Sequence, residues 1–76
     1  MQRGITMKTI IKQWAEDNGK SMGWLSRQIG YTYSYTHGCA NGTFKPSMKF
    51  RMKVAEVLEL PVEELFDERG FARPFD

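Results

Sequence analysis

The 76-residue sequence has little of what small domains use as covalent or metal cross-links. It contains one cysteine, Cys39, and one histidine, His37. A lone cysteine cannot close a disulfide within the chain, and these two residues cannot supply the ligand set of a zinc site. The sequence therefore excludes a disulfide framework and a structural zinc site, and no cofactor is expected.

Long apolar runs are also missing. No segment approaches the roughly 20 apolar residues of a membrane-spanning helix, and residues 1–7 lack the apolar stretch of a secretory signal. A cytoplasmic protein without membrane association is the expectation. With 41% hydrophobic and 26% charged residues, the chain has the composition of a globular protein. Its length predicts a single domain over residues 1–76, too small for a large enzyme cleft.

Acidic side chains are scarce before residue 54. Residues 1–53 carry nine basic and two acidic side chains, a net charge of +7, whereas residues 54–76 carry two basic and seven acidic ones, a net charge of −5. Such a division favours contact of one end with a polyanion, although two ordinary solvated faces would give the same count.

Hydrophobic spacing predicts five short helices. They cover approximately residues 7–18, 22–29, 33–40, 48–59 and 61–66. Ser21, Thr32 and Ser47 are suitable N-caps, Gly30 is a suitable C-terminal stop, and Asn41-Gly42 is predicted to end the third helix in a left-handed conformation. Residues 67–76 are predicted to be a polar tail that keeps two phenylalanines.

The third of these segments is ambiguous by itself. Residues 31–36 alternate tyrosine with threonine or serine, a pattern typical of a β-strand. No other segment alternates in this way, so a strand here would leave its backbone groups unpaired. We therefore predict a helix that is capped by Thr32 and ends near Ala40.

Short helices, two of them joined by a glycine turn, are typical of a helix-turn-helix domain. Residues 20–66 resemble the phage repressor and Cro type helix-turn-helix family, also called the xenobiotic-response-element-like family. The matching residues are Leu25-Ser26, Ile29-Gly30, Asn41-Gly42, Pro46-Ser47, Val54-Ala55, Leu58, Leu60 and residues 62–66. The resemblance implies an all-α, five-helix, lambda-repressor-like fold, with the motif at about residues 21–41.

The resemblance also implies a DNA-contacting surface, because the second helix of this motif lies in the major groove. Position by position, the base-reading residues would be Tyr33, Ser34 and His37, with Tyr35 and Gly38 beside them. The phosphate-contacting residues would be Ser21, Met22, Arg27, Asn41, Thr43 and Lys45. No arginine, glutamine or asparagine precedes Asn41 on this helix, so specificity is expected to depend on apolar contact, water and DNA shape.

The implied function is sequence-specific binding of double-stranded DNA by a transcriptional regulator, a phage or prophage type repressor. A homodimer on a palindromic operator is expected, with Phe66, Phe71 and Phe75 as its candidate contact region. The alternatives are an antitoxin that binds a toxin through its acidic C-terminal third, and a protein-interaction module that has lost DNA binding. An enzyme is not expected, because no nucleophile, base and orienting group form a set.

Overall fold

The structure is a computed structural model that describes residues 8–75. Within that range all regular elements are helices: α1 (Ile10–Asp17), α2 (Met22–Ile29), α3 (Tyr33–Ala40), α4 (Met48–Leu58) and α5 (Val62–Leu65). The all-α, five-helix prediction is confirmed. Among the described residues, no helix is long and apolar enough to cross a membrane.

Each of the first four helices starts at a hydroxyl side chain. The oxygens of Thr9, Ser21, Thr32 and Ser47 accept hydrogen bonds from the backbone amides of Lys12, Trp24, Tyr35 and Phe50, at 3.0–3.2 Å. Each bond satisfies one of the amides that lack a partner in the first helical turn. The caps predicted at residues 21, 32 and 47 are confirmed.

Several helix ends differ from their predicted positions by one to three residues. Helix α1 begins after Thr9, and the predicted start at Met7 lies outside the described residues. Helix α4 ends one residue earlier than predicted, because Glu59 adopts a left-handed conformation with φ of 59°. After α3, Gly42 takes the left-handed conformation with φ of 84°, whereas Asn41 keeps right-handed helical angles.

The helices surround a core to which all of them contribute. Helix α2 packs against both α3 and α4, and α4 packs against α5. The largest fully buried apolar side chains are Phe50, Phe66, Ile11, Leu65 and Val54. Leu25 and Ile29 are buried in α2. Ser26 is buried beside them, and its small side chain suits the close packing of α2 against α3.

The C-terminal segment, residues 66–75, is part of the fold. It forms two isolated antiparallel bridges, one between Phe66 and Ala72 and one between Thr9 and Pro74. The amide of Ile10 donates to the carbonyl of Arg73 at 3.0 Å, which joins this segment to the start of α1. The prediction of a polar tail missed these contacts, because the backbone bonds join positions far apart in sequence and leave no local pattern.

An aspartate stabilises the turn inside that segment. Oδ1 of Asp67 accepts hydrogen bonds from the amides of Arg69 and Phe71, at 2.9 and 3.0 Å. These bonds, chiefly the one from Phe71, hold the pKa of the Asp67 carboxyl below its ordinary value. The turn is therefore favoured by the ionised form of Asp67 and weakens when that carboxyl is protonated.

The three phenylalanines that were predicted to form a dimer contact do not share one exposed surface. Phe66 is only 2% exposed and belongs to the core, whereas Phe75 is 47% exposed. Phe71 is half-buried and carries the guanidinium of Arg69 over its ring. The prediction of a combined Phe66, Phe71 and Phe75 patch was wrong, because burial of Phe66 completes the core behind α5.

One threonine links α1, α3 and the C-terminal segment, and its substitution gives a test of the fold. Thr9 is fully buried and donates its hydroxyl to the carbonyl of Ala40, at the end of α3. Thr9→Val keeps the shape but leaves that carbonyl and the Lys12 amide without a partner. We expect the free energy of unfolding to fall by about 1–3 kcal/mol in urea titrations. The exposed control Thr43→Val should change it by less than about 0.5 kcal/mol; equal losses would contradict this role.

Candidate nucleic-acid interface

A single glycine sets the angle between α2 and α3. Gly30 has φ of 76°, a conformation that costs a residue with a Cβ free energy. The amides of Gly30 and Tyr31 both donate to the carbonyl of Ser26, at 2.9 and 3.1 Å. The chain therefore leaves α2 through a tight turn, and α3 begins at Tyr33 after only two further residues.

The inner face of α3 consists of small residues. Thr36, Cys39 and Ala40 are all buried, at 1% exposure or less. The Thr36 hydroxyl has no hydrogen-bond partner among residues 8–75. Burial raises the pKa of the Cys39 thiol, and a hydrogen bond with Tyr35 opposes the shift. Cys39 therefore behaves as a small apolar core residue.

Aromatic rings hold the start of α3 against α4. The rings of Tyr31 and Tyr35 are stacked at 5.5 Å, and each makes a T-shaped contact with the buried Phe50 ring, with centroids 5.1 Å apart. The hydroxyl of Tyr35 also accepts a hydrogen bond from the amide of Ser47, at 3.2 Å. Tyr35, predicted to lie among the base-reading residues, therefore has both its ring and its hydroxyl engaged within the protein.

A close contact between Gly38 and Phe44 explains the glycine in α3. A Cβ at residue 38 would lie 2.4 Å from two carbons of the Phe44 ring, far inside van der Waals distance. Phe44 also stacks on Tyr35 at 6.5 Å, so the loop after α3 lies back on the helix. Sequence reasoning missed Phe44; an aromatic residue shortly after a glycine-containing helix is a weak signal for this packing.

The exposed face of α3 carries the other predicted base-reading residues. Tyr33 is 55% exposed, Ser34 is exposed and His37 is half-buried. The rings of Tyr33 and His37 lie 5.4 Å apart, one helical turn from each other. Base contact by Tyr33, Ser34 and His37 remains a prediction, and Tyr35 and Gly38 lie on the packed side of the same helix.

The predicted phosphate-contacting residues lie on both sides of α3 in sequence. Ser21 caps α2, and the Met22 side chain is buried, which leaves its backbone amide as the available group. Arg27, Thr43 and Lys45 are exposed. Asn41 instead turns its side-chain amide toward His37, at 3.1 Å between Nδ2 and Nδ1. Phosphate contact by this whole set remains a prediction.

The stacked rings of two tryptophans connect α1 and α2. The rings of Trp14 and Trp24 are stacked at 6.2 Å, and the ammonium group of Lys20 lies 4.8 Å from the Trp24 ring centre. Trp24 is therefore engaged in packing on the first helix. This stack packs α2 against α1.

The fold and the α2–turn–α3 arrangement define a helix-turn-helix domain, and the chain belongs to the helix-turn-helix DNA-binding domains. It is similar to the N-terminal DNA-binding domain of SinR from Bacillus subtilis, with a TM-score of 0.64 and 30% sequence identity over 76% of this chain and 87% of that one. The solution structure of that domain gives a TM-score of 0.63 and 32% identity over 79% and 88%.

SinR chains in two complexes are similar to this chain as well. SinR, the master regulator for biofilm formation, in complex with DNA matches with a TM-score of 0.62 and 31% identity over 70% of this chain and 86% of that one. A chain of the SinR–SinI complex matches with a TM-score of 0.67 and 33% identity over 78% of this chain. This chain spans 58% of the length of that one. The sequence matches no protein-family model and no curated protein.

Because Gly38 lies against Phe44, alanine at residue 38 is expected to have the opposite of its usual effect on the stability of a helix. Alanine ordinarily stabilises a helix by about 1 kcal/mol relative to glycine, but Gly38→Ala should lower the free energy of unfolding by about 1 kcal/mol, because its methyl group displaces the Phe44 ring. In a Phe44→Ala background the same substitution should become stabilising. Urea denaturation of the four proteins measures both effects.

A second glycine provides the matched control. Gly23 lies in α2, and a Cβ there would meet its nearest atoms at 3.6 Å, an ordinary contact distance. Gly23→Ala is therefore expected to be neutral or stabilising by up to about 1 kcal/mol. Stabilisation by Gly38→Ala in both backgrounds would show that Phe44 does not occupy this position.

Proposed function

We propose that this protein is a sequence-specific regulator that binds double-stranded DNA, with α3 in the major groove. The observation that carries the proposal is the division of α3 into two faces. Thr36, Cys39 and Ala40 bury one side, while Tyr33 and Ser34 leave the other side open. SinR, which is 31% identical over the matched region, forms a complex with DNA, and this supports the same use of the motif here.

Phosphate binding in this proposal begins at the N-terminus of α2. The first amides of a helix have no intrahelical partner and carry partial positive charge. Ser21 satisfies the amide of Trp24, so the amides of Met22 and Gly23 are free to donate to a phosphate oxygen. The exposed side chains of Arg27 and Lys45 add positive charge on either side of α3 in sequence.

Base recognition in this proposal belongs to Tyr33, Ser34 and His37. A serine hydroxyl and an imidazole can donate to or accept from base edges, and an exposed tyrosine ring can pack on a thymine methyl group. These contacts are weaker and fewer than bidentate arginine contacts to guanine. The proposal therefore assigns part of the specificity to DNA shape and bridging water.

We further propose that the protein acts as a repressor of the phage type, as a homodimer on a palindromic operator. One short helix reads only a few base pairs, and two copies on half-sites about 34 Å apart multiply the specificity. Because Phe66 is buried, the dimer contact in this proposal excludes that residue.

Salt dependence tests DNA binding itself. Affinity for random duplex DNA should fall steeply as salt rises, because each neutralised phosphate releases counterions. Lys45→Ala should reduce the slope of log affinity against log salt by about one, measured by fluorescence anisotropy. The control is Lys8→Ala, since Lys8 already pairs with Glu16 at 2.9 Å and should change the slope less. Absence of binding at low salt would overturn the proposed function.

Base reading is tested separately by selection from random DNA. Tyr33→Ala and His37→Ala should each change the preferred base at particular operator positions, because those side chains meet base edges in this proposal. Lys45→Ala should instead weaken binding to all selected sequences by a similar factor. The reverse pattern, with Lys45 controlling sequence preference, would exchange the roles given to these residues. A palindromic selected motif is the expected sign of a dimer.

A further inference from the structure

The imidazole of His37 is held by two neighbours on the same face of α3. Nδ2 of Asn41 lies 3.1 Å from Nδ1 of His37, and the Tyr33 ring lies 5.4 Å from the imidazole ring on the other side. These residues are spaced four apart, the separation at which side chains meet on a helix surface. These two contacts within α3 favour one orientation of the imidazole in the protein without DNA.

The contact with Asn41 also fixes the protonation pattern of the ring. An amide nitrogen can only donate, so Nδ1 of His37 must accept, and a neutral imidazole then carries its proton on Nε2. The backbone of Asn41 is held in place, because it caps the end of α3 and its amide donates to the carbonyls of His37 and Cys39, while Oδ1 of its side chain is buried without a hydrogen-bond partner among residues 8–75. Among residues 8–75, no hydrogen bond is formed with Nε2 of His37.

We propose that Asn41 is a positioning residue that determines specificity by holding His37 in the tautomer with a proton on Nε2. In the proposed complex, which this inference takes from the proposed function, Nε2 is the atom left to meet a base edge. A donor there selects an acceptor: guanine offers N7 and O6 in the major groove, while cytosine offers only the N4 donor. His37 therefore favours guanine and rejects cytosine at the base that it contacts.

The tautomer can be observed without DNA, because His37 is the only histidine in the chain. Protein labelled with ¹⁵N-histidine, studied by NMR at pH 8.5 where imidazole side chains are neutral, should show Nε2 protonated and Nδ1 unprotonated. Asn41→Asp replaces the donor with a carboxylate that only accepts, so it should transfer the proton to Nδ1. A wild-type protein with its proton on Nδ1 would overturn the proposal.

Selection from random duplex DNA at the same pH tests the consequence for specificity. The wild-type preference for guanine over cytosine at the His37 position should be about five- to tenfold. His37→Ala should abolish it, and Asn41→Asp should reverse it toward cytosine or adenine, which present donors. The comparison uses the ratio between bases, since the added negative charge weakens binding to every sequence.

A matched control separates the effect of the tautomer from the effect of the added negative charge. Asn18→Asp makes the same change at the end of α1, where the Asn18 side chain donates to the Trp14 carbonyl, and it should leave the base preference unchanged. An unchanged preference in Asn41→Asp, or in His37→Ala, would overturn the proposal. If wild-type protein selects no motif at all, the proposed function fails together with base reading by His37, even where NMR finds the predicted tautomer.

Discussion

The ring of Phe50 holds the start of α3 in place. This side chain from α4 is 1% exposed, and its ring makes T-shaped contacts with the rings of both Tyr31 and Tyr35, with centroids 5.1 Å apart. Helix α3 has only eight residues and few large apolar side chains, so it is too short to be stable alone. Its helical structure and its orientation therefore depend on packing against α2 and on the aromatic contact from α4, with Gly30 providing the turn.

This dependence gives the two faces of α3 different requirements. The inner face needs small or flat side chains, since Thr36, Cys39 and Ala40 are covered by the rest of the domain, and Gly38 lies against Phe44. The outer face has no such packing requirement, and it is where hydroxyl, phenol and imidazole groups are found. Phe44 also ties the following loop to α3, so residues proposed to contact phosphates are positioned relative to those proposed to read bases.

The helices and the turn that position the site could be predicted from the sequence, but the side-chain contacts within the site could be predicted only in part. Hydroxyl caps, Gly30 and apolar spacing act within a few residues of each other, so the predictions of α2 and of the start of α3 were correct. Tyr33 and Tyr35 looked equivalent in sequence, yet one is exposed and the other packs on Phe50 and Phe44. That difference depends on residues from α4 and its preceding loop, which no local pattern reports.

The five helices, the caps at Ser21, Thr32 and Ser47 and most of the apolar core could be predicted from the chain alone, because periodicity and capping are local properties. It is the folded arrangement that places residues 66–75 against the start of α1, puts Phe66 in the core and sets the side chain of Asn41 beside His37. Each of these depends on distant backbone groups or on the rotamer that packing selects. The helix-turn-helix arrangement therefore follows from local sequence patterns, whereas contacts with the rest of the fold determine which side chains α3 exposes.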